Sequence, residues 1–171
     1  MPRALGVLTP YLERARALGA VDAKVIGPQG VLCAQWVRLK CQYGCDGFGS
    51  SHCCPPHSPT PEQTRRVIDE YHRLLLVHCR RWVDVDKVVV ALEREIFLDG
   101  HYQAFAWGAG PCRLCRTCDP AQPCRHSERA RPSMEASGID VFATARRAGF
   151  PIQVVRSRRD HDHYYGLVGI D

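Results

Sequence analysis

Apolar residues recur every three or four positions in four stretches of the chain, and this pattern predicts four helices. The clearest helix start is at Thr60, because Thr60, Pro61 and Gln63 form a capping-box sequence with proline in the first turn. Glycine closes several of these segments, as it commonly does at helix ends. The predicted helices cover residues 10–19, 60–73, 84–100 and 138–149.

Short apolar runs between and after these helices predict strands. The run L-L-L-V-H-C is typical of a buried strand, and the last two runs are expected to pair with each other. Because helices and strands alternate, we predict an α/β or α+β fold: a single layered domain over residues 1–171, with two cysteine-rich loops that follow strands at the end of a sheet. The predicted strands cover residues 36–40, 74–79, 103–107, 152–156 and 164–170.

Four of the ten cysteines fall within thirteen residues, in the pattern C-x2-C-x2-C-x5-C. Cysteines at consecutive x2 spacing bring their sulfurs around one small volume, which suits an iron–sulfur cluster because each iron takes a thiolate. A structural zinc site more often takes its ligands as two separated pairs, so we favour a [4Fe–4S] cluster and keep zinc as the alternative. The predicted ligands are Cys112, Cys115, Cys118 and Cys124.

The other cysteine-rich loop, residues 41–58, has the pattern C-x3-C followed by Cys53 and Cys54 before two prolines. Adjacent cysteines point in different directions, so binding of both to one centre would be strained. We favour Cys54, which the prolines restrain, and Cys53 is then either a fourth ligand or a buried residue. With three cysteines, one iron stays open to bind substrate as a Lewis acid. The predicted ligands are Cys41, Cys45 and Cys54.

Histidines near these loops offer alternative ligands. His52 and His57 are candidates for the fourth position of the Cys41–Cys54 centre, although ordinary loop histidines are more common. His161 and His163 flank Asp162, and alternation in a strand would put both rings on one face. A turn of solvated polar residues is favoured there over a metal site.

Residues 131–140 are expected to be ordered and to lead into the last helix. Ser133 with Glu135, or Ser137 with Asp140, has the form of a helix cap. Acid–base chemistry by Glu135 or Asp140 is the alternative. The chain contains no P-loop, no G-x-G-x-x-G and no G-x-S-x-G sequence, so nucleotide and serine-hydrolase chemistry have no support.

The cysteine count needs an explanation beyond folding, because 171 residues can bury a core without covalent help. The first residues show no apolar segment typical of a signal peptide, and no run is long enough to span a membrane. We therefore predict a cytoplasmic protein with reduced thiols and disfavour a disulfide framework. Cys33 and Cys79, in apolar surroundings, are expected to be simple buried residues.

The formal net charge of +5, from 23 basic and 18 acidic residues, raises the question of nucleic-acid binding. A four-iron cluster with four thiolates has a charge of about −2 when oxidised, so two clusters would cancel much of this excess. Arg113, Arg116 and Arg125 stand between the cysteines of one loop and are placed to face such a cluster. Nucleic acid is therefore an unlikely partner.

Three segments together resemble the prokaryotic family of predicted metal-binding proteins called domain of unknown function 2284. They are V-R-L-K-C-Q-Y-G-C with C-P-P-H-S-P-T-P-E-Q-T, then G-P-C-R-L-C-R-T-C with P-C-R-H, then R-P-S-M-E-A-S-G-I-D-V, over roughly residues 20–171. The resemblance implies metal binding, with iron–sulfur clusters suspected and no established reaction. C-R-H-S replaces the expected C-R-H-P. The seven ligands predicted above match family cysteines, whereas Cys33, Cys53 and Cys79 do not.

The sequence as a whole predicts a cytoplasmic iron–sulfur protein with two [4Fe–4S] clusters. The cluster at Cys112–Cys124 would transfer electrons to a redox partner protein. The centre at Cys41–Cys54, with an open iron, would make a reductive or sulfur-transfer enzyme. The alternative is a zinc-stabilised binding module for a protein or nucleic-acid partner.

Overall fold

A four-stranded antiparallel sheet lies at the centre of the computed structural model, which describes residues 8–157, 159–160 and 163–171. The strand order is β1-β2-β4-β3, so β2 and β4 are interior. Leu76 of β2 lies opposite Lys24 of β1 on one side and Leu167 of β4 on the other. The strands are β1 (Asp22–Ile26), β2 (Leu74–Cys79), β3 (Phe105–Trp107) and β4 (Tyr164–Gly169).

Five α-helices in the described residues surround this sheet. The capping box predicted at Thr60 is present: Thr60 Oγ1 accepts from the Gln63 N–H at 3.2 Å, and Gln63 Oε1 accepts from the Thr60 N–H at 2.8 Å. A short 3-10 helix, Glu135–Ser137, precedes the last α-helix. The helices are α1 (Thr9–Ala17), α2 (Gln35–Gly44), α3 (Pro61–Asp69), α4 (Trp82–Leu98) and α5 (Val141–Arg147).

The sheet buries apolar residues on both faces, which is why β2 is apolar almost throughout. Leu75 and Val77 pack with residues of α1 and α4. Leu74 and Leu76 point the other way, into a second cluster that includes Ile68 and residues of α5. All six residues of β2 are buried. Continuous apolar sequence is the pattern expected of a strand covered on both sides.

Helix α4 approaches the sheet most closely at Gly166 of β4. A Cβ atom at Gly166 would lie 2.5 Å from Val85 Cγ1 and 2.7 Å from Val89 Cγ1, both inside normal van der Waals contact. Glycine therefore lets α4 lie against the middle of the sheet. This contact matters for the site, because one of the two cysteine-rich loops begins after β3, the strand that follows α4.

The predicted layered fold of helices and strands is confirmed, and its antiparallel sheet makes it the α+β form of the prediction. Two predicted strands are wrong. Residues 36–40 lie inside α2, where only Val37 is buried. Residues 152–156 form no strand, and β4 pairs with β2 and β3 instead. The loop that contains Cys41 therefore begins on a helix and does not follow a strand.

Helix α4, at 17 residues, is the longest in the described part of the chain. Within the described ranges, no helix combines the length and the apolar character that membrane crossing requires.

Candidate functional site

The cysteine loop at residues 41–58 starts from the last turn of α2 and continues through tight turns. Cys41 lies within α2 and Cys45 is the residue that ends it. Cys54 is buried, its N–H donates to the Ser51 carbonyl at 3.2 Å, and its own carbonyl accepts from the His57 N–H at 2.9 Å. The helix end and the turns thus fix the backbone of all three cysteines predicted for this centre, called the α2 centre below.

The thiols of the α2 centre lie close enough to influence one another. Burial raises the pKa of the Cys41 thiol, and the nearby Cys45 and Cys54 thiols and the Glu135 carboxyl raise it further. The Gly47 N–H donates to Cys45 Sγ at 3.3 Å. Backbone N–H groups directed at sulfur stabilise negative charge on thiolates and tune the potential of a bound cluster.

Arg38 of α2 ties the loop to the segment before α5. Its guanidinium donates to the carbonyls of Pro59 at 2.9 Å, Ala136 at 3.3 Å and Ser58 at 3.4 Å. The Ser58 hydroxyl also donates to the Ala136 carbonyl at 2.5 Å. In the described part of the chain no carboxylate forms an ion pair with Arg38. Its positive charge, which opposes the raised pKa of the Cys41 thiol, is therefore free to balance a negative centre.

Gly47 leaves space beside two sulfurs of the α2 centre. A Cβ atom there would lie 3.4 Å from Cys45 Sγ and 3.8 Å from Cys54 Sγ. We expect Gly47→Ala to lower the metal bound at this centre, because the added methyl would occupy space next to both ligand atoms that a bound metal centre would need. Metal content per chain, measured by elemental analysis after purification without oxygen, checks this prediction.

Gly44→Ala is the matched control, since it also adds one methyl near the end of α2. A Cβ atom at Gly44 meets no atom within 4 Å. We expect this variant to keep the full metal content. Equal loss of metal in both variants would mean that the loop tolerates no added methyl. The specific role of the space beside Gly47 would then be contradicted.

The second cysteine loop is closed at its base by the sheet. The Gly108 N–H donates to the Pro132 carbonyl at 2.9 Å, and the Met134 N–H donates to the Gly108 carbonyl at 2.9 Å. The Ala109 N–H donates to Asp86 Oδ1 at 3.0 Å. Burial raises the pKa of this Asp86 carboxyl to about 6, although the Ala109 N–H lowers it. Residues 109–132 thus leave and rejoin the sheet at one place.

A buried ion pair anchors the returning end of the same loop. Arg131 donates to Glu93 Oε2 at 2.7 Å and to Glu93 Oε1 at 2.5 Å, and the two side chains are only 14% and 12% exposed. Arg131 also donates to the carbonyls of Ala130 at 2.8 Å and Ser127 at 3.0 Å. Glu93 Oε2 accepts from the Ala106 N–H at 2.8 Å, so the pair joins α4, β3 and the loop.

The four predicted cysteines of this loop line one small pocket, together with Cys53 from the other loop. We call this group the loop-two centre. The rest of its wall is formed by Ser51, His52, Leu114, His126 and Ala130. The cysteines that line the pocket are Cys53, Cys112, Cys115, Cys118 and Cys124.

Cys53 therefore lies on the opposite side of the chain from its neighbour Cys54. Burial raises the pKa of the Cys53 thiol, and the Cys112 thiol, to which it is hydrogen-bonded, raises it further. The Cys124 and Cys54 thiols raise it too. The sequence left Cys53 as either a fourth ligand or a buried residue, and the structure shows that it is buried. It lies against the loop-two centre and not beside Cys41 and Cys45. The Cys53–Cys54 peptide separates two groups of thiols.

The histidines have other partners or positions. His52 Nε2 lies 2.7 Å from the Gln122 carbonyl oxygen and so connects the two cysteine loops, while His57 is exposed. His163 Nδ1 lies 3.1 Å from His78 Nε2. His161 and Asp162, for which a turn is predicted, are outside the described residues.

All ten cysteines have free thiols, and Cys79 is fully buried in the core. Cys33 is half-buried and packs at the edge of the second apolar cluster. In the residues that the structure describes, no three Cys, His, Asp or Glu side chains are placed to bind one metal ion directly. The two groups of thiols are thus defined by their shared pocket and by their mutual effect on pKa, and the ligand assignment remains a prediction.

The two acidic residues before α5 differ in role. Asp140 Oδ1 accepts from the Ala143 N–H at 2.9 Å and caps α5, as one sequence interpretation predicted. Glu135 accepts from its own N–H and from the Ser133 hydroxyl, while its Oε2 is shielded from solvent and has no hydrogen-bond partner. Burial raises the pKa of the Glu135 carboxyl. Of the two, Glu135 is the one that raises the pKa of the Cys41 thiol.

Sequence reasoning missed Arg38, Gly47 and Arg131 as parts of the site. Arg38 lies three residues before the C-x3-C pattern and Gly47 lies two residues after it. Their closeness to the predicted ligands in the sequence could have identified them. Nothing in the sequence connects Arg131 with Glu93, which lies 38 residues away.

Comparison with known proteins adds one finding. A family model described as "Predicted metal-binding protein (DUF2284)" matches residues 24–170. No curated protein and no solved structure matches the chain. The match covers nearly the whole chain and includes both groups of cysteines. The chain therefore belongs to the family of predicted metal-binding proteins known as domain of unknown function 2284.

Proposed function

We propose that this protein binds two [4Fe–4S] clusters and acts in electron transfer, with reductive or sulfur-transfer chemistry at one of them. The observation that supports this most is the division of the loop cysteines into two groups at the Cys53–Cys54 peptide. A cubane cluster takes each ligand on a different iron, so its ligands stand further apart than those of one ion. Two groups of thiols in irregular loops suit that requirement.

At the loop-two centre, the ligands would be Cys112, Cys115, Cys118 and Cys124, with Cys53 as an additional thiol in contact. With all irons bound by protein thiolates, this cluster would move electrons and do no bond chemistry. Arg113 and Arg116 are exposed on the same loop. Their charge favours a redox partner protein with an acidic surface, because opposite charges steer and orient such encounters.

At the α2 centre, the ligands would be Cys41, Cys45 and Cys54. The chain's own groups suit an anionic cluster there: Arg38 supplies an unpaired positive charge, and Gly47 supplies an N–H to sulfur. A bound cluster would supply one-electron redox chemistry and, at an iron without a cysteine, a Lewis acid. Reduced thiols at both centres would be maintained in the cytoplasm.

Purification without oxygen tests this proposal directly. We expect a brown protein with broad visible absorbance, and about eight iron and eight sulfide per chain for two four-iron clusters. A colourless protein with stoichiometric zinc would contradict the proposal and favour a zinc-stabilised binding module. About four irons per chain would contradict the two-cluster form, and substitution of Cys41 or Cys118 by serine would then identify the centre that binds them.

A further inference from the structure

Glu135 and two cysteines of the α2 centre line one cavity. The cavity measures about 330 Å³, and Cys41, Cys45 and Glu135 all contribute to its wall. Trp36, Phe142 and Tyr165 form apolar parts of the same wall. Glu135 thus lies at the same cavity as two of the predicted ligands of the α2 centre.

Within this site the Glu135 carboxylate is only half satisfied. Its hydrogen bonds are with its own N–H and the Ser133 hydroxyl, and that hydroxyl accepts in turn from the Ala136 N–H at 3.0 Å. Oε2 remains shielded from water and without a partner. A buried acceptor without a partner is costly, and such atoms in native structures commonly mark an ion or a functional contact.

Two acidic groups lie near the Glu135 carboxyl and repel its charged form: the Cys41 thiol and the Asp86 carboxyl. Two basic side chains are also close, since Lys40 lines the same cavity and Arg38 acts on the Cys41 thiol. Neither of them bonds to Glu135 Oε2, which has no hydrogen-bond partner. Iron between the carboxylate and the three thiolates would remove this repulsion, because each anionic group would then face a metal cation.

We propose that Glu135 is the fourth protein ligand of the α2 centre and binds through Oε2 to the iron that Cys41, Cys45 and Cys54 leave free. This inference rests on the proposed function. The other candidates for the fourth position are placed less well: His52 contacts the Gln122 carbonyl, and Cys53 faces the loop-two centre. His57 is exposed. A carboxylate is a harder donor than a thiolate. An iron bound by Glu135 would therefore differ in its ligand field from the irons bound by cysteine.

The test uses the full-length holoprotein, enriched with ⁵⁷Fe and purified without oxygen, and Mössbauer spectroscopy as the readout. We expect about one iron in eight to differ from the others, as an iron with an oxygen ligand does from irons bound by sulfur alone. Glu135→Gln should shift the parameters of this distinct iron or cause its loss, because water or an amide oxygen would replace the carboxylate ligand. Glu135→Cys should keep the iron count and convert the distinct iron into an ordinary thiolate-bound one.

Asp140→Asn is the matched control, since Asp140 lines the same cavity and asparagine still caps α5. It should leave the spectrum unchanged. Wild-type protein in which every iron is sulfur-bound, or a Glu135→Gln spectrum identical to wild type, would overturn the inference while leaving the two clusters in place. Wild-type protein without iron would overturn the proposed function itself, and the inference with it.

Discussion

Replacement of Arg131 by methionine is expected to lower the free energy of unfolding by about 2–3 kcal/mol, because it leaves the largely shielded Glu93 carboxylate without its charged partner. The two side chains are largely shielded from water, so solvent cannot compensate. The change also removes the hydrogen bonds from Arg131 to the Ser127 and Ala130 carbonyls. Urea unfolding of the holoprotein, followed by circular dichroism, measures the loss.

The double variant Glu93→Gln with Arg131→Met separates the two causes. Glutamine keeps an oxygen to accept from the Ala106 N–H but has no charge to be left unpaired. We expect the double variant to be clearly more stable than Arg131→Met alone. If both lose the same free energy, the loss comes from the loop carbonyls and the apolar stem of Arg131, not from the buried charge.

Removal of the metal is expected to unfold residues 110–131 while the sheet stays folded. This segment contains no regular helix or strand, and its largest apolar side chain, Leu114, is 37% exposed. A loop without an apolar core depends on its metal, since metal-binding free energy in such sites is folding free energy. The sheet has its own two apolar clusters, which include none of the predicted ligands.

Hydrogen exchange with and without a chelator, read by mass spectrometry, measures this effect. We expect amide exchange in residues 110–131 to speed up by on the order of a hundredfold or more on metal removal. Peptides from β2 (Leu74–Cys79) serve as the internal control and should stay protected. Unchanged protection of the loop would show that its turns and the Arg131–Glu93 pair are sufficient to hold it.

Local signals made part of the fold predictable. The capping box at Thr60 works through residues three apart, so the start of α3 follows from four letters of sequence. The run at 74–79 matches β2 residue for residue, because a strand buried on both faces is apolar throughout. Asp140 likewise caps α5 through a contact only three residues long.

Elements that depend on distant partners were not predictable in the same way. Residues 36–40 alternate like a strand, but they continue into Cys41 and Gln42 as a helix that buries only Val37. β1 (Asp22–Ile26) contains aspartate and lysine and is an edge strand, defined by its pairing with β2. Val154 and Val155 favour a strand by composition, yet they are exposed and pair with no strand of the described residues.

The candidate site shows the same division. The x2 spacing alone predicted that Cys112, Cys115 and Cys118 lie together, because residues three apart in a turn are close in space. The side on which Cys53 lies depends on how the two loops meet, and the contact between His52 and Gln122 spans 70 residues. Glu135 is a candidate ligand because its Oε2 atom has no hydrogen-bond partner, and the sequence alone does not show this.

The position of the Cys53–Cys54 peptide has a consequence for the order in which electrons would enter. In the proposed two-cluster protein, one peptide unit separates the thiol groups, and centres on its two sides would lie about 10 Å apart. At an effective dielectric of about 20, two added charges at that distance repel by about 1.7 kcal/mol. That energy corresponds to about 70 mV for a one-electron step. Reduction would therefore be anticooperative: the first electron makes the second harder to add, and the protein would deliver electrons singly.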